Sequence, residues 1–448
     1  MRKRGRRAVV LTMAMAMALT GAASASAGAA SAASDAAYRA GLAAYVHGYP
    51  PLLSLDSQTT FPTNALVSIA GPIDPSNKLV VMPNVDTAYA VAKLDLAQGP
   101  QTVHLPAEPG RYHMVQVMDA YTNVVGYAGT RTTGDGAVDA MVVGPGWHGT
   151  APAGVRLLRS PTDAALVLGR TLLLPSDTLP SLRELVGQYT LNGAAPIVLD
   201  RQPGRKPGTV PKGMAFVEAY DGFLSANPPS AAERRDLAPL ARYGIGAGLA
   251  ARARALPART RAALLRGIAA GPAAVAARVA RRRAAGAREH HGWVVLDPKT
   301  GDYGTDYWLR ASVAKIGLWA NTPAEATYPN AAYDSEGRPL SGAHRYALTL
   351  PTPLPTRAFW SLTMYDAALH LYDNPLGRYA LGDRSPGLVA GDGRIRLTLS
   401  HAAPAGATAN WLPAPAGRFV VTLRLYMPTA KALAPGWAPP GLRCLDCG

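Results

Sequence analysis

The chain has 448 residues, enough for two or three domains with ample cores, and 48% of them are apolar against 17% charged. That balance excludes a disordered polyelectrolyte and a polytopic membrane protein, and two cysteines exclude a disulfide-rich scaffold. The net charge of +16 is local: five basic residues open the chain, eleven arginines and no acid occupy 242–288, and the remainder balances, which speaks against a broad nucleic-acid surface.

Arg2, Lys3, Arg4, Arg6 and Arg7 precede an apolar run from Ala8 to about Leu19, and small-residue sites follow at Ala25-Ser26-Ala27 and Ala30-Ser31-Ala32. This is the three-part layout of a secretory signal peptide over residues 1–27, with cleavage as late as 33. The apolar run falls short of the about 20 residues a spanning helix needs, so no transmembrane span is expected once the leader is removed. The chain is expected in the cell envelope or outside the cell, by the Sec route or, given Arg6-Arg7, the twin-arginine route.

Residues 34–60 form an expected N-terminal helix, with Tyr38, Leu42, Tyr45 and Val46 at helical spacing and a stop at Tyr49-Pro50-Pro51. From 61 to 190 short β-type runs alternate with turn residues: Lys78–Val81, Tyr89–Leu94, Thr102–Leu105, Tyr112–Met118 and Met141–Val143. That rhythm predicts a β-sandwich or barrel. Residues 191–300 read as a helical connector rich in Ala and Arg, divided into short helices by Pro239, Pro257 and Pro272. Its arginines either solvate an outer face or dock to an anionic envelope polymer or lipid. A second β domain follows over 301–440, with runs at Arg345–Leu350, Phe359–Tyr365, Ile395–Leu399 and Phe419–Tyr426. In the last, Phe419, Val421, Leu423 and Leu425 share one face and Val420, Thr422, Arg424 and Tyr426 the other. Residues 441–448 form a tail with Cys444-Leu445-Asp446-Cys447, expected to close on itself as a disulfide or stay loose, because one pair supplies at most half a tetrahedral zinc site.

No G-x-S-x-G or Walker A sequence is present, and Glu289-His290-His291 is not a zinc-protease helix. Gly144-Pro145-Gly146-Trp147-His148-Gly149 satisfies G-x-G-x-x-G but opens no helix, so a turn is expected there. The histidines are scattered; no metal and no cofactor are expected. Asp302 and Asp306 have i, i+4 spacing, but the glycines around them favour a turn.

The stretch Asn84-Val85-Asp86-Thr87-Ala88-Tyr89, then Gln116–Asn123, Gly129–Gly134 and Gly144-Pro145-Gly146-Trp147, resembles the family called domain of unknown function 1254. Phe359–Asp366, Asn374-Pro375 with Arg378-Tyr379, Asn410–Pro415 and Arg424-Leu425-Tyr426 are similar to domain of unknown function 1214. The resemblance implies a mainly β chain: an immunoglobulin-like β-sandwich, the helical connector, then a jelly-roll domain. It implies no activity.

The polar and aromatic residues of these motifs are the candidate ligand site: Asn84, Tyr89, Gln116, Tyr121, Asn123 and Arg131 in the first half, and Trp360, Tyr365, Asp366, Asn374, Arg378, Asn410 and Trp411 in the second. Rings beside amides suit a polar, carbohydrate-like ligand; the same residues equally serve as Asx-turns, strand caps and core. The expected function is binding of such a ligand. The alternatives are a hydrolase using Asp86 and Asp119 as a carboxylate pair, and an architectural protein docked to anionic polymer.

Overall fold

The computed structural model describes residues 6–78, 81–201, 208–406 and 408–447, with side chains for these except 6–30 and 287. Arg2, Lys3 and Arg4 of the leader, and Leu79 and Val80 of the first expected strand, lie outside the described residues.

Among the described residues ten strands form in the first β region: β1 Leu66–Ile69, β2 Thr87–Asp95, β3 Gln101–Leu105, β4 His113–Asp119, β5 Val124–Gly129, β6 Val138–Val143, β7 Arg156–Arg159, β8 Ala164–Leu172, β9 Thr190–Leu191 and β10 Ile197–Leu199. One sheet runs β10-β1-β2-β8-β4-β5 and the other β7-β6-β3-β9. Period-two alternation sends Ala90, Ala92, Val115, Val117 and Val167 from the first sheet against Val103, Leu105, Ala140 and Val142 from the second. Each such side chain taken fully out of water contributes roughly 1.5–3 kcal/mol for the larger aliphatics.

The second β region holds β11 Trp293–Val294, β12 Ala326–Thr327, β13 Asn330–Ala331, β14 Tyr346–Pro351, β15 Thr356–Asp366, β16 Ala380–Gly382, β17 Arg394–Ser400, β18 Trp411–Pro413, β19 Phe419–Pro428 and β20 Arg443–Cys444. Its sheets run β11-β13-β19-β15-β16, with β12 also on β19, and β18-β17-β14-β20. Leu362, Met364, Val421, Leu423 and Leu425 face Leu348, Leu350, Leu397 and Leu399 across the interior. The chain is thus mainly β, with sandwich-like sheet pairs on either side of a helical middle.

The helices are α1 Arg6–Ser57, α2 Leu179–Gly187, α3 Gly213–Ala226, α4 Ala231–Leu237, α5 Ala250–Ala255, α6 Ala258–Glu289, α7 Tyr307–Gly317 and α8 Ala430–Leu433. Two helices run through prolines expected to interrupt them. The first continues through Pro50 and Pro51 to Ser57, and the sixth passes through Pro272. Proline removes one helical N–H and crowds the preceding turn. Here the residues around each proline are buried, Val46 and Leu52 in one case and Ile268 and Val275 in the other, and packing overrides the local penalty. Pro257 and Pro239 do fall at breaks, just before α6 and at the start of a 3-10 turn over Ala238–Tyr243.

The described residues divide into two compact units. One comprises Met1–Gly48, Pro211–Ser225 and Ala231–Ala274; the other comprises Tyr49–Val210, Ala226–Ser230 and Val275–Gly448. In the first, Gly41 of α1 lies against the Leu264 carbonyl of α6, and Gly267 against the Tyr38 carbonyl, so the helices cross at backbone contact. Tyr45 stacks on Phe216 at 5.5 Å beside this crossing. By length and composition Ala258–Gly286 is long and apolar enough to cross a membrane, yet its Ala263, Leu264, Ile268 and Val275 are core residues of the folded chain.

Candidate ligand cavity

In the second unit the two sandwiches meet through the outer faces of their sheets. Tyr89, Val91, Met118 and Leu168 pack with Tyr365 and Leu371, and Tyr112, Met114 and Tyr127 pack with Phe359 and Tyr426. Beside these contacts lies a cavity of about 390 Å³. That is within the about 300–1,000 Å³ usual for small-molecule sites.

Strand register builds its walls. In the antiparallel β2–β8 pair, Tyr89 sits opposite Arg170 and Val91 opposite Leu168. Ala90, Ala92 and Val167 point to the sandwich core, so the residues that alternate with them, Tyr89, Val91 and Leu168, point the other way, into the cavity. On β19 the core takes Val421, Leu423 and Leu425, and the cavity takes Thr422, Arg424 and Tyr426. Tyr328 and Asn330 close this side, and Leu53, Phe61, Ile73, Val313, Leu318 and Trp319 make the rest apolar.

Arg170 is the unusual group. It is buried, its Nη1 donates to the Tyr89 hydroxyl at 2.8 Å, and its guanidinium carbon lies 5.0 Å from that ring's centre. Among the described residues no acceptor takes a bond from its Nε, which is itself buried, and no carboxylate pairs with it. A buried guanidinium without a counter-charge costs several kcal/mol. Arg424, also buried, is satisfied by neutral oxygens: Thr363 Oγ1 at 2.6 Å, Tyr365 Oη at 2.6 Å and the carbonyls of Met82 and Pro83 at 2.9 and 3.1 Å.

The neighbouring hydroxyls point to the same chemistry. Tyr426 Oη accepts from Asn84 Nδ2 at 2.8 Å and Tyr328 Oη from Asn321 Nδ2 at 2.6 Å, which leaves each phenol its own proton to give. Burial raises the pKa of both, so they remain donors at neutral pH. Thr422 Oγ1 is buried and makes no hydrogen bond among the described residues. A guanidinium and several hydroxyl donors at the wall of an apolar cavity favour an anion with an apolar body.

Residues 63–193 match the family model "Protein of unknown function (DUF1254)" and residues 325–430 match "Protein of unknown function (DUF1214)". The chain carries both domains, in that order. No curated protein matches it. Among solved structures, the VPA0106 protein from Vibrio parahaemolyticus is similar in fold, with a TM-score of 0.66 and 19% identity over 92% of this chain and 100% of its own. An uncharacterized protein from Burkholderia cenocepacia aligns with a TM-score of 0.46 and 14% identity over 89% of this chain and 86% of its own.

The DUF1254 domain supplies Tyr89 and Arg170 to the cavity, and the DUF1214 domain supplies Tyr328, Asn330, Thr422, Arg424 and Tyr426. Of the ligand residues expected from sequence, Asn84 and Tyr89 line it. The others serve elsewhere. Gln116 donates to the Ala320 carbonyl, Tyr121 to the Asn227 carbonyl, and Arg131 pairs with buried Glu325 at 2.6 Å. Asn123 binds Asp119 through its amide at 2.9 Å. Tyr365 donates to the Pro83 carbonyl, and Trp360 lies in the second core. Asp366 and Asn374 accept from backbone N–H groups of their own turns, and Asn410 from Val389. Arg378 holds the Trp411 carbonyl, while the Trp411 indole donates to Ser400. Asp86 accepts from Ser361 at 2.5 Å and Arg384 at 3.1 Å, partners distinct from those of Asp119. Trp147 closes a turn on Gly144, and Asp306 caps α7 through the Leu309 N–H.

Sequence reasoning passed over Arg170, Tyr328, Asn330 and Thr422 as ligand groups. The signal for Arg170 was available: it is the one charge in the otherwise apolar run Ala164–Leu172.

Proposed function

We propose that this DUF1254–DUF1214 chain is an exported protein that binds a small amphipathic anion, an apolar body bearing one carboxylate-like head. Arg170 carries the reading. It is a buried cation with a spare donor and no acidic partner among the described residues, at the wall of a mainly apolar cavity whose polar groups, Asn84, Lys315, Asn330, Thr422 and Arg424 among them, include no carboxylate. The head would take bonds from Arg170 and from the Tyr328 and Tyr426 hydroxyls, and the body would lie against Leu53, Phe61, Val313 and Trp319. The expected sugar site and the Asp86–Asp119 hydrolase draw less support, since most of their residues are spent on turns, caps and cores.

Calorimetric titration of the full chain with medium-chain and aromatic carboxylates tests the reading, with the matching primary amides and simple sugars as controls. Carboxylates are expected to saturate and to bind at least about tenfold tighter than the amides, the worth of one charge-assisted bond. Equal binding of amide and acid, or binding of sugars alone, would overturn it. Export is supported by the leader pattern, and N-terminal sequencing of secreted protein checks it: a mature terminus between residues 28 and 34 is expected.

A further inference from the structure

The tail of the chain brings together a second donor set, away from the cavity. Strand β20 pairs antiparallel with β14, placing Cys444 opposite Tyr346, and Leu445 N–H donates to the Arg345 carbonyl at 2.8 Å. This pins Cys-x-x-Cys beside His344, a hundred residues earlier in the chain. His344, Cys444, Asp446 and Cys447 each offer one ligand atom within 4.8 Å of the others. His344 Nδ1 is 3.5 Å from Asp446 Oδ1, and Cys444 Sγ is 3.8 Å from the same oxygen. The Cys447 N–H points at Cys444 Sγ at 3.1 Å and folds the Cys-x-x-Cys turn around that sulfur. Arg345 grips both carboxylate oxygens, Nε donating to Oδ2 at 3.0 Å and its backbone N–H to Oδ1 at 2.9 Å, which orients Asp446 and leaves Oδ1 a second lone pair for the cluster. Cys444 and Cys447 are joined as a disulfide in the described state.

We infer that this cluster is a redox-gated zinc site: the disulfide and a zinc complex of Cys444, Cys447, His344 and Asp446 are alternative states of one tail. Two thiolates, an imidazole and a carboxylate are a complete tetrahedral donor set for Zn²⁺. A dithiol reductant opens it. The reductant's two sulfurs become a disulfide, Cys444 and Cys447 become thiols, and zinc displaces both thiol protons as it binds. In an oxidising compartment the disulfide prevails, so metal is held only where such thiols reach the protein.

The full chain, reduced with a dithiol that is then removed under anaerobic conditions, is titrated with Co²⁺ and back-titrated with Zn²⁺. Expected is a thiolate-to-cobalt charge-transfer absorption that saturates at one metal per chain, is lost on zinc addition and is absent from unreduced protein. Cys444→Ser with Cys447→Ser should abolish it, and His344→Ala, His344→Gln and Asp446→Asn should each weaken binding by at least about tenfold. Thermal melts of the metal-free variants confirm that each is folded. No saturable absorption in the reduced chain, equal binding by the unreduced chain, or unchanged affinity in the folded His344 and Asp446 variants would overturn the inference.

Discussion

Arg170 holds a permanent charge where little water reaches it, and the folded chain bears that cost with one phenol as compensation. Replacing even a buried ion pair with apolar side chains of similar volume is neutral or stabilising by about 1–4 kcal/mol, and a guanidinium without a counter-charge has less attraction to lose. Arg170→Met is therefore expected to keep or raise the unfolding midpoint in denaturant while losing carboxylate binding. A fall in stability of the same size would mean that the guanidinium serves the fold instead. The Arg111–Asp177 pair is the opposite case. Arg111 reaches Asp177 through two bonds of 2.8 and 3.0 Å, and these hold the Asp177 pKa below the usual carboxylate value although burial acts the other way. A depressed carboxylate pKa contributes stability that is present above the unfolded value, about 3.9, and is lost as pH falls through the folded value. Asp177→Asn should cost about 1–2 kcal/mol at neutral pH, the lower end for charged bonds because the pair is partly solvated. The gap from wild type should close below about pH 4 in denaturant melts taken across that range.

At the scale of elements, glycines set the closest helix contact. A Cβ at Gly267 would run into the Tyr38 carbonyl, and one at Gly41 into that of Leu264. Neither obstacle is the far end of a flexible chain, so Gly267→Val is expected to destabilise by about 1–3 kcal/mol or more, seen as an earlier thermal loss of helical circular dichroism. The same scale explains what could be read in advance. Strand β19 was legible down to its two faces because one face is continuous hydrocarbon, and Phe419, Val421, Leu423 and Leu425 do enter one core. The strands β2, β3, β4, β6, β14, β15 and β17 were legible for the same reason. The cavity was not, because its walls come from β2, β8, β13, β19 and α7, and the register that sets Tyr89 opposite Arg170 is a pairing across eighty residues. The motif residues Asp366, Asn374 and Asn410 drew attention through their polarity, yet they satisfy local backbone groups, a use that sequence alone does not separate from ligand contact. Likewise His344 offered no hint of Cys444 until β14 and β20 paired.

At the scale of the molecule, the two β regions bury aromatic surface on each other as well as within themselves. Phe359 and Tyr426 stack at 4.2 Å, and Tyr112 meets both edge-on at 5.5 and 5.2 Å. A DUF1214 segment cut out as 325–430 would expose those rings and strand the buried Arg424, whose carbonyl partners Met82 and Pro83 lie in the other half. Such a fragment is expected to be aggregated or molten, without near-ultraviolet circular dichroism; a cooperative melt like that of the full chain would refute this. Ligand should raise the midpoint of both β regions together, by about 2.7 kcal/mol of stability at a hundredfold excess over Kd.

Alternate positions on β2, β8 and β19 face opposite ways, one set filling the sandwich interiors and the other turned to the cavity and to the neighbouring sandwich. Thr422 faces the chamber while Val421, one step along the same strand, fills an interior; Val91 and Leu168 do both, lining the chamber and packing on Tyr365 and Leu371. Under the proposed function, Thr422 is therefore the wall position at which selectivity could be retuned by design with least disturbance to the cores.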